Sequence, residues 1–170
     1  MKKLFLYITL SFSLLAFAQN EQLAQYYYEK GDFEKAKIGF EELLQNVPQN
    51  TQYFLRTIDC YQQLQLFDIA EKAIKERFDK YKQSNLLVEL GYNFQLRKDD
   101  TKAKVYYDQA VERIKKNPNE IYSISNAFER KVLLDYALKS YKIATELNPN
   151  FNFNYQMPIP PLFKISMLKS

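Results

Sequence analysis

The sequence has no histidine and no tryptophan, a single cysteine at position 60, and three glycines, at positions 31, 39 and 91. Each scarcity removes a class of chemistry. Without His there is no imidazole to act as general base or metal ligand, and every His-containing triad is excluded. One Cys builds neither a tetrahedral zinc site nor an internal disulfide. Stability must therefore come from packing, and Cys60 is expected in the core as a small hydrophobe. Three scattered glycines leave no loop to cradle a phosphate. With few prolines before the C-terminus, they also leave few tight turns, which favours long helices over a sandwich or barrel. Carboxylate pairs such as Glu41-Glu42 and Asp99-Asp100 are adjacent in sequence, and adjacent helical residues do not face one another. They read as solvated faces and a helix start. No catalytic residue, cofactor site or metal site is expected, and the chain reads as a non-enzyme.

What is present points to a folded protein. Of 170 residues, 46% are hydrophobic and 26% charged, a balance that fits one domain with a sizeable core and argues against disorder. The N-terminus has the form of a secretory leader: basic Met1-Lys2-Lys3, an apolar stretch from Leu4 to Leu15, and the cleavage pattern Ala16-Phe17-Ala18. The apolar run is shorter than the ~20 residues a spanning helix needs, so no stable membrane span is expected once it is cleaved. No Cys follows the small residues, which argues against a lipid anchor. Cleavage after Ala18 would place the mature chain in the periplasm or outside a bacterial cell. Loss of Lys2 and Lys3 lowers the formal charge from +4 to +2, and the remaining charges are interspersed. Nucleic acid, which demands a basic footprint, is not an expected partner.

The organisation shows in a set of alanines. Ala36, Ala70, Ala103 and Ala137 are 34, 33 and 34 residues apart. Four residues after each comes Phe40, Ile74, Tyr107 or Tyr141; seven after comes Leu43, Arg77, Ala110 or Ala144. Nine before each is an aromatic: Tyr27, Tyr61, Phe94 or Phe128. A residue, its fourth and its seventh successor share one stripe of a helix. The Ala admits a neighbouring helix closely, and the aromatic belongs to that neighbour. Short breaks lie between them, at Lys30-Gly31-Asp32, Gln65-Leu66, Lys98-Asp99 and Lys131-Val132. Each unit is thus two helices and a tight turn, too small to bury its apolar faces without its neighbours. The expected helices are 20–30, 33–46, 51–64, 67–80, 84–97, 100–115, 119–131 and 134–147.

These residues resemble the tetratricopeptide-repeat (TPR) family. The first unit carries Leu23-Ala24, Tyr27, Gly31-Asp32-Phe33, Ala36, Phe40, Leu43 and Pro48 in the family pattern, and the third supplies Leu90-Gly91 and Phe94. The second and fourth units are looser: the second has Lys82 where the closing Pro would fall, and the family Trp is absent throughout. The resemblance covers residues 20 to 150. It implies an all-α fold, a right-handed superhelix or solenoid of about four antiparallel helix-turn-helix units, at about 19–50, 51–83, 84–117 and 118–150. It implies a protein-binding scaffold or adaptor with a protein or peptide as partner, and the Lys-Lys leader and lone Cys fit a setting in the cell envelope. In the family, the first helix of each unit lines the concave face. Carried onto this sequence, that face would show Gln25 and Tyr28, then Arg56, Asp59, Gln62 and Gln63, then Glu89, Tyr92 and Gln95, and lastly Tyr122, Asn126 and Arg130. Tyr92 and Tyr122 stand out as anchors, because Tyr buries area while keeping a polar tip. A clamp of Lys, Asn and Arg for a C-terminal carboxylate is known in the family, but Glu21 and Gln25 occupy the places of its Lys and Asn.

The pattern stops after Asn150. Pro158, Pro160 and Pro161 prevent a fifth helix, so residues 151–170 are expected to be an irregular tail. A solenoid normally ends in a helix with a polar outer face. Here Leu138, Tyr141, Ile143, Ala144 and Leu147 are followed by no such helix. Either the tail, with Ile159, Leu162, Phe163, Ile165 and Leu168, folds back as a cap, or the end pairs with a second copy or a partner, or the chain is a shortened member of a longer array. Self-association of the mature chain is expected. An alternative is that the chain is the N-terminal fragment of a longer exported sensor or envelope-assembly protein.

Overall fold

The computed structural model describes residues 19–147. The expected leader, the last three residues of the expected fourth unit and the expected tail lie outside the described residues. Eight α-helices and one 3-10 turn make up the described residues, with no strand among them. Helix α1 covers 19–29, followed by α2 Phe33–Asn46, α3 Thr51–Gln63, α4 Phe67–Tyr81, α5 Leu86–Leu96, α6 Asp100–Lys116, α7 Ile121–Arg130 and α8 Leu134–Leu147. The expected helix at 119–131 begins later because Pro118 opens the 3-10 turn Pro118–Glu120, whose cap hands over to Ile121. A helix from residue 84 is likewise shortened, with Ser84 and Asn85 in a turn.

The hairpin turns repeat as regularly as the alanines. Positive φ occurs at Gly31 (76°), Gln65 (59°), Lys98 (64°) and Val132 (57°), positions with the same spacing as the marker alanines. Each of these residues sends its N–H to the carbonyl three back, and the next residue sends its own to the carbonyl of Tyr27, Tyr61, Phe94 or Phe128. This paired closure satisfies carbonyls that a helix end leaves open. The recurring aromatic therefore sits at the acceptor of every turn. The following helix starts on the same turn. Asp32 and Asp99 accept from the backbone N–H of Lys35 and Lys102 and act as N-caps, whereas Leu66 has no such bond. The capping bonds hold both Asp carboxyls below their ordinary range, led at Asp32 by the Lys35 side chain and at Asp99 by the Lys102 N–H.

All four marker alanines are buried, as are Phe40, Ile74, Tyr107 and Tyr141 four residues on. Burying one such aromatic or aliphatic side chain contributes roughly 2–3 kcal/mol. The apolar clusters run in series along the chain. One joins Ala24, Ala36, Phe40 and Tyr53; the next joins Phe54, Ile58, Ile74 and Leu90; the third joins Phe94, Tyr107, Phe128 and Tyr141. Leu44 touches the first two, and Phe78 and Tyr106 touch the last two. Each hairpin thus completes its core on the next, the arrangement of a solenoid. Gly91 is required by the closeness of α5 and α6, since a Cβ there would run into the ring of Tyr107. Cys60 is fully buried, and burial, helped by the nearby Asp59, pushes its thiol up to about 12. It is inert packing, as the composition implied.

Candidate inner-face site

The first helices of all four hairpins meet around one cavity of about 350 Å³. Tyr28 comes from α1; Gln52, Leu55, Arg56, Asp59, Gln62 and Gln63 from α3; Tyr92 from α5; and Arg130 with Lys131 from the end of α7. Residues separated by three or four on α3 share a face, which is why one helix supplies so much of the wall.

Charge, not shape, organises the interior. Lys131 reaches across the face from the last hairpin turn, and its ammonium lies 2.6 Å from Asp59 Oδ1 and 3.0 Å from Glu89 Oε2. It also donates to Gln62 Oε1 at 3.2 Å and stands 4.6 Å from the centre of the Tyr92 ring. Its side chain is 8% exposed and that of Glu89 is 1% exposed. Burial pulls the Lys131 pKa down, but the carboxylates of Glu89 and Asp59 more than offset it and leave it raised. Lys131 therefore carries its charge inside the protein. The contact to Glu89 Oε2 is one of charge rather than an aligned hydrogen bond. Arg130 completes the cluster by donating from Nη2 to Glu89 Oε1 at 2.8 Å. Tyr28 donates from Oη to Asp59 Oδ2 at 3.3 Å, and its hydroxyl pKa is raised by burial and then by Asp59. The Arg56 guanidinium lies 4.3 Å from the centre of the Tyr28 ring.

Of the twelve residues expected on this face, seven line the cavity together: Tyr28, Arg56, Asp59, Gln62, Gln63, Tyr92 and Arg130. Gln25 lines an adjoining cleft that shares Arg56 and Gln52. The remaining four need correction or stand apart. Glu89 is not a surface residue; it lies beneath the cavity, held there by Lys131 and Arg130. Gln95 accepts a 2.7 Å hydrogen bond from Tyr107 Oη, which turns its amide toward its own hairpin partner. Tyr122 packs half-buried against the third apolar cluster, so it is not the free anchor expected of it. Asn126 is exposed and lies outside the cavity lining. Sequence reasoning missed Gln52, Leu55 and above all Lys131, which it used only as a turn marker. Among the described residues, no group of three or more Cys, Asp or Glu could hold a metal ion, and no helix is long and apolar enough to cross a membrane.

The fold and this cavity define an all-α solenoid of helical hairpins whose first helices share one inner face. Among solved structures it is similar to a crystal structure of MamA, with TM-score 0.48 and 18% identity over 76% of this chain and 77% of that one. It is also similar to MamA AMB-1, with TM-score 0.43 and 19% identity over 81% and 75%, and to a further crystal structure of MamA protein, with TM-score 0.36 and 18% identity over 85% and 98%. No protein-family model matches the chain, and no curated protein matches it in sequence.

Proposed function

We propose that this chain is an exported TPR-type adaptor that holds an extended segment of a protein partner on its inner face, without catalysing a reaction. The observation that carries this is the convergence of all four hairpins on one cavity lined by Tyr, Arg and Gln side chains. Amides and guanidinium groups suit the repeating carbonyls of an extended backbone, and Tyr adds contact area with a polar tip. The repeat in the sequence supports the family, and the leader pattern supports export to the cell envelope. Affinity capture from a cell envelope tests the reading, comparing the mature chain with an Arg56→Ala, Tyr92→Ala variant. Partners recovered by the first should fall at least about tenfold with the second. Equal recovery by both removes the inner face as the binding site. Sequencing the exported chain checks the leader, with Gln19 the expected first residue.

A second reading, self-association through the last hairpin, is favoured by α8. Leu134, Leu138 and Leu147 are each at least 40% exposed, and Leu138 stands where the other hairpins carry Lys37, Glu71 and Lys104. Sedimentation of the mature chain is expected to show a dimer that Leu138→Lys converts to a monomer. A monomer in both would end that reading.

A further inference from the structure

The inner face has a sign, and one residue sets it. Read as sequence, the face mixes Asp59 and Glu89 with Arg56 and Arg130 and favours neither charge. The structure distributes them unequally. All four carboxylate oxygens of Asp59 and Glu89 are engaged from within: Asp59 by Lys131 and Tyr28, Glu89 by Arg130 and Lys131. The ammonium of Lys131 has three contacts, to Asp59, Glu89 and Gln62, so it too is spent. The carboxylates at this face are therefore occupied by the protein's own groups, Glu89 Oε2 by charge alone.

Apart from Glu89 Oε2, which Lys131 meets by charge alone, the buried polar atoms left without a hydrogen bond in this cluster are donors. Arg56 Nε is buried with no hydrogen-bond partner, and its guanidinium faces the cavity while resting on the Tyr28 ring. Gln62 is 4% exposed; its Oε1 is taken by Lys131, and its Nε2 is buried without a partner at the cavity wall. A buried donor left unmade is costly, and that cost is relieved when an acceptor arrives. Within the cavity, three cations, Arg56, Arg130 and Lys131, stand against Asp59 and the Glu89 beneath it, one positive charge in excess, while Glu21 and Glu29 line the adjoining cleft that shares Arg56. In a partly desolvated cavity this excess favours an anion more strongly than it would at an open surface.

We infer that Lys131 fixes the specificity of the inner face: by neutralising Asp59 and Glu89 it leaves the cavity selective for an acidic segment of a protein, whose carboxylates are received at the guanidinium groups of Arg56 and Arg130 that line it. This rests on the inner face being the binding site. Lys131 is a positioning residue. It touches the carboxylates, not the ligand, and its effect passes through the charges it cancels.

The mature chain is incubated with three nine-residue peptide libraries, randomised at the flanks and fixed at the centre as Glu-x-Glu, Lys-x-Lys or Gln-x-Gln, and bound peptides are quantified. The wild type should retain the Glu library about tenfold over the other two, and the margin should shrink with added salt. Arg56→Gln, which leaves the lysine and both carboxylates in place, should bring the three libraries to parity. Lys131→Met frees Asp59 and should abolish the acidic preference or turn it toward the Lys library. Because that variant leaves buried carboxylates uncompensated and its folding is at risk, a triple variant, Lys131→Met with Asp59→Asn and Glu89→Gln, completes the test. It should keep the acidic preference, since Arg56 and Arg130 remain and there is nothing left to neutralise. Loss of preference in the triple variant would make Lys131 a direct receiver and overturn the neutralising role. Retention of all libraries equally, or preference for the Lys library by the wild type, would overturn the inference while the binding face stands. Retention of none would remove the binding face as well.

Discussion

Two buried cations hold this molecule together in different ways. Arg77 lies at the junction of the first and second hairpins, in the stripe position that Leu43, Ala110 and Ala144 fill elsewhere. Its partners are neutral: it donates to the carbonyls of Pro48 and Gln49 at 3.0 Å, reaches Thr51 Oγ1 and Gln83 Oε1 at 3.4 Å, and lies 4.4 Å from the centre of the Phe54 ring. Lys131 lies on the inner face and is met by two carboxylates from other hairpins. Arg suits the first place because its planar fork satisfies several carbonyls at once; Lys suits the second because a compact point charge can sit among converging oxygens. The lesson is that the same burial of a positive charge can close a joint or tune a site, and the acceptors decide which.

The largest effect should come from the joint. Arg77→Met conserves much of the volume but strands the carbonyls of Pro48 and Gln49, and urea unfolding should show a loss of about 3–4 kcal/mol. Peptide retention on the inner face should not change, because none of the hydrogen-bond and ring partners of Arg77 lines the cavity. Should retention collapse together with stability, the division between joint and site would break.

The site should lose less, and recoverably. Lys131→Met removes one partner of a buried cluster, with an expected cost of about 3 kcal/mol, most of it from carboxylates left uncompensated. Neutralising those carboxylates in the triple variant should restore all but about 1 kcal/mol of that loss by the same urea measurement. No such rescue exists for Arg77, whose two shortest hydrogen bonds are to backbone carbonyls. A triple variant as unstable as the single one would show that Lys131 acts through packing rather than charge.

The sequence carried the scaffold further than the joint or the site. The alanine spacing located every hairpin, because a small residue where helices touch is a local requirement that recurs in each unit. The recurring aromatics marked the turns for the same reason. Depth and orientation on the inner face depend on neighbours far along the chain. Arg56 and Glu89 occupy the same repeat position, fourteen residues before their marker alanines, yet one faces the cavity and the other is buried beneath it. The cause is Lys131, which is separated from Asp59 by 72 residues, and no periodicity within one unit reports such a reach. Tyr122 is different, since a signal was available. Its repeat equivalents in the two middle hairpins, Leu55 and Val88, are buried and Glu21 in the first is exposed, so aligning the units gives a partial signal that places the apolar residues of this position, Tyr122 included, against the core. Gln95 has a similar explanation. Its equivalent in the last hairpin is Glu129, which accepts from Tyr141 Oη just as Gln95 accepts from Tyr107 Oη.

The smallest effect concerns the turn that presents Lys131. Val132 holds φ at 57°, a conformation that a β-branched side chain adopts only under strain, and it is 73% exposed, so it packs against little. Val132→Gly should therefore stabilise the protein by about 1 kcal/mol, because relief of strain outweighs the added freedom of glycine in the unfolded chain. Two causes for the strain make different demands. If Lys131, in reaching for Asp59, drags the turn into this shape, the gain should shrink once the lysine is replaced. If the hairpin closure imposes the shape, the gain should be the same with and without it. Gly31, Gln65 and Lys98 adopt the same φ in hairpins that have no such reach, which assigns the strain to the closure. The gain measured in a Lys131→Met background should accordingly agree with that in the wild type to within about 0.5 kcal/mol. A larger difference would mean that the ion cluster and the turn are one device, and that the site is held in place partly by backbone strain.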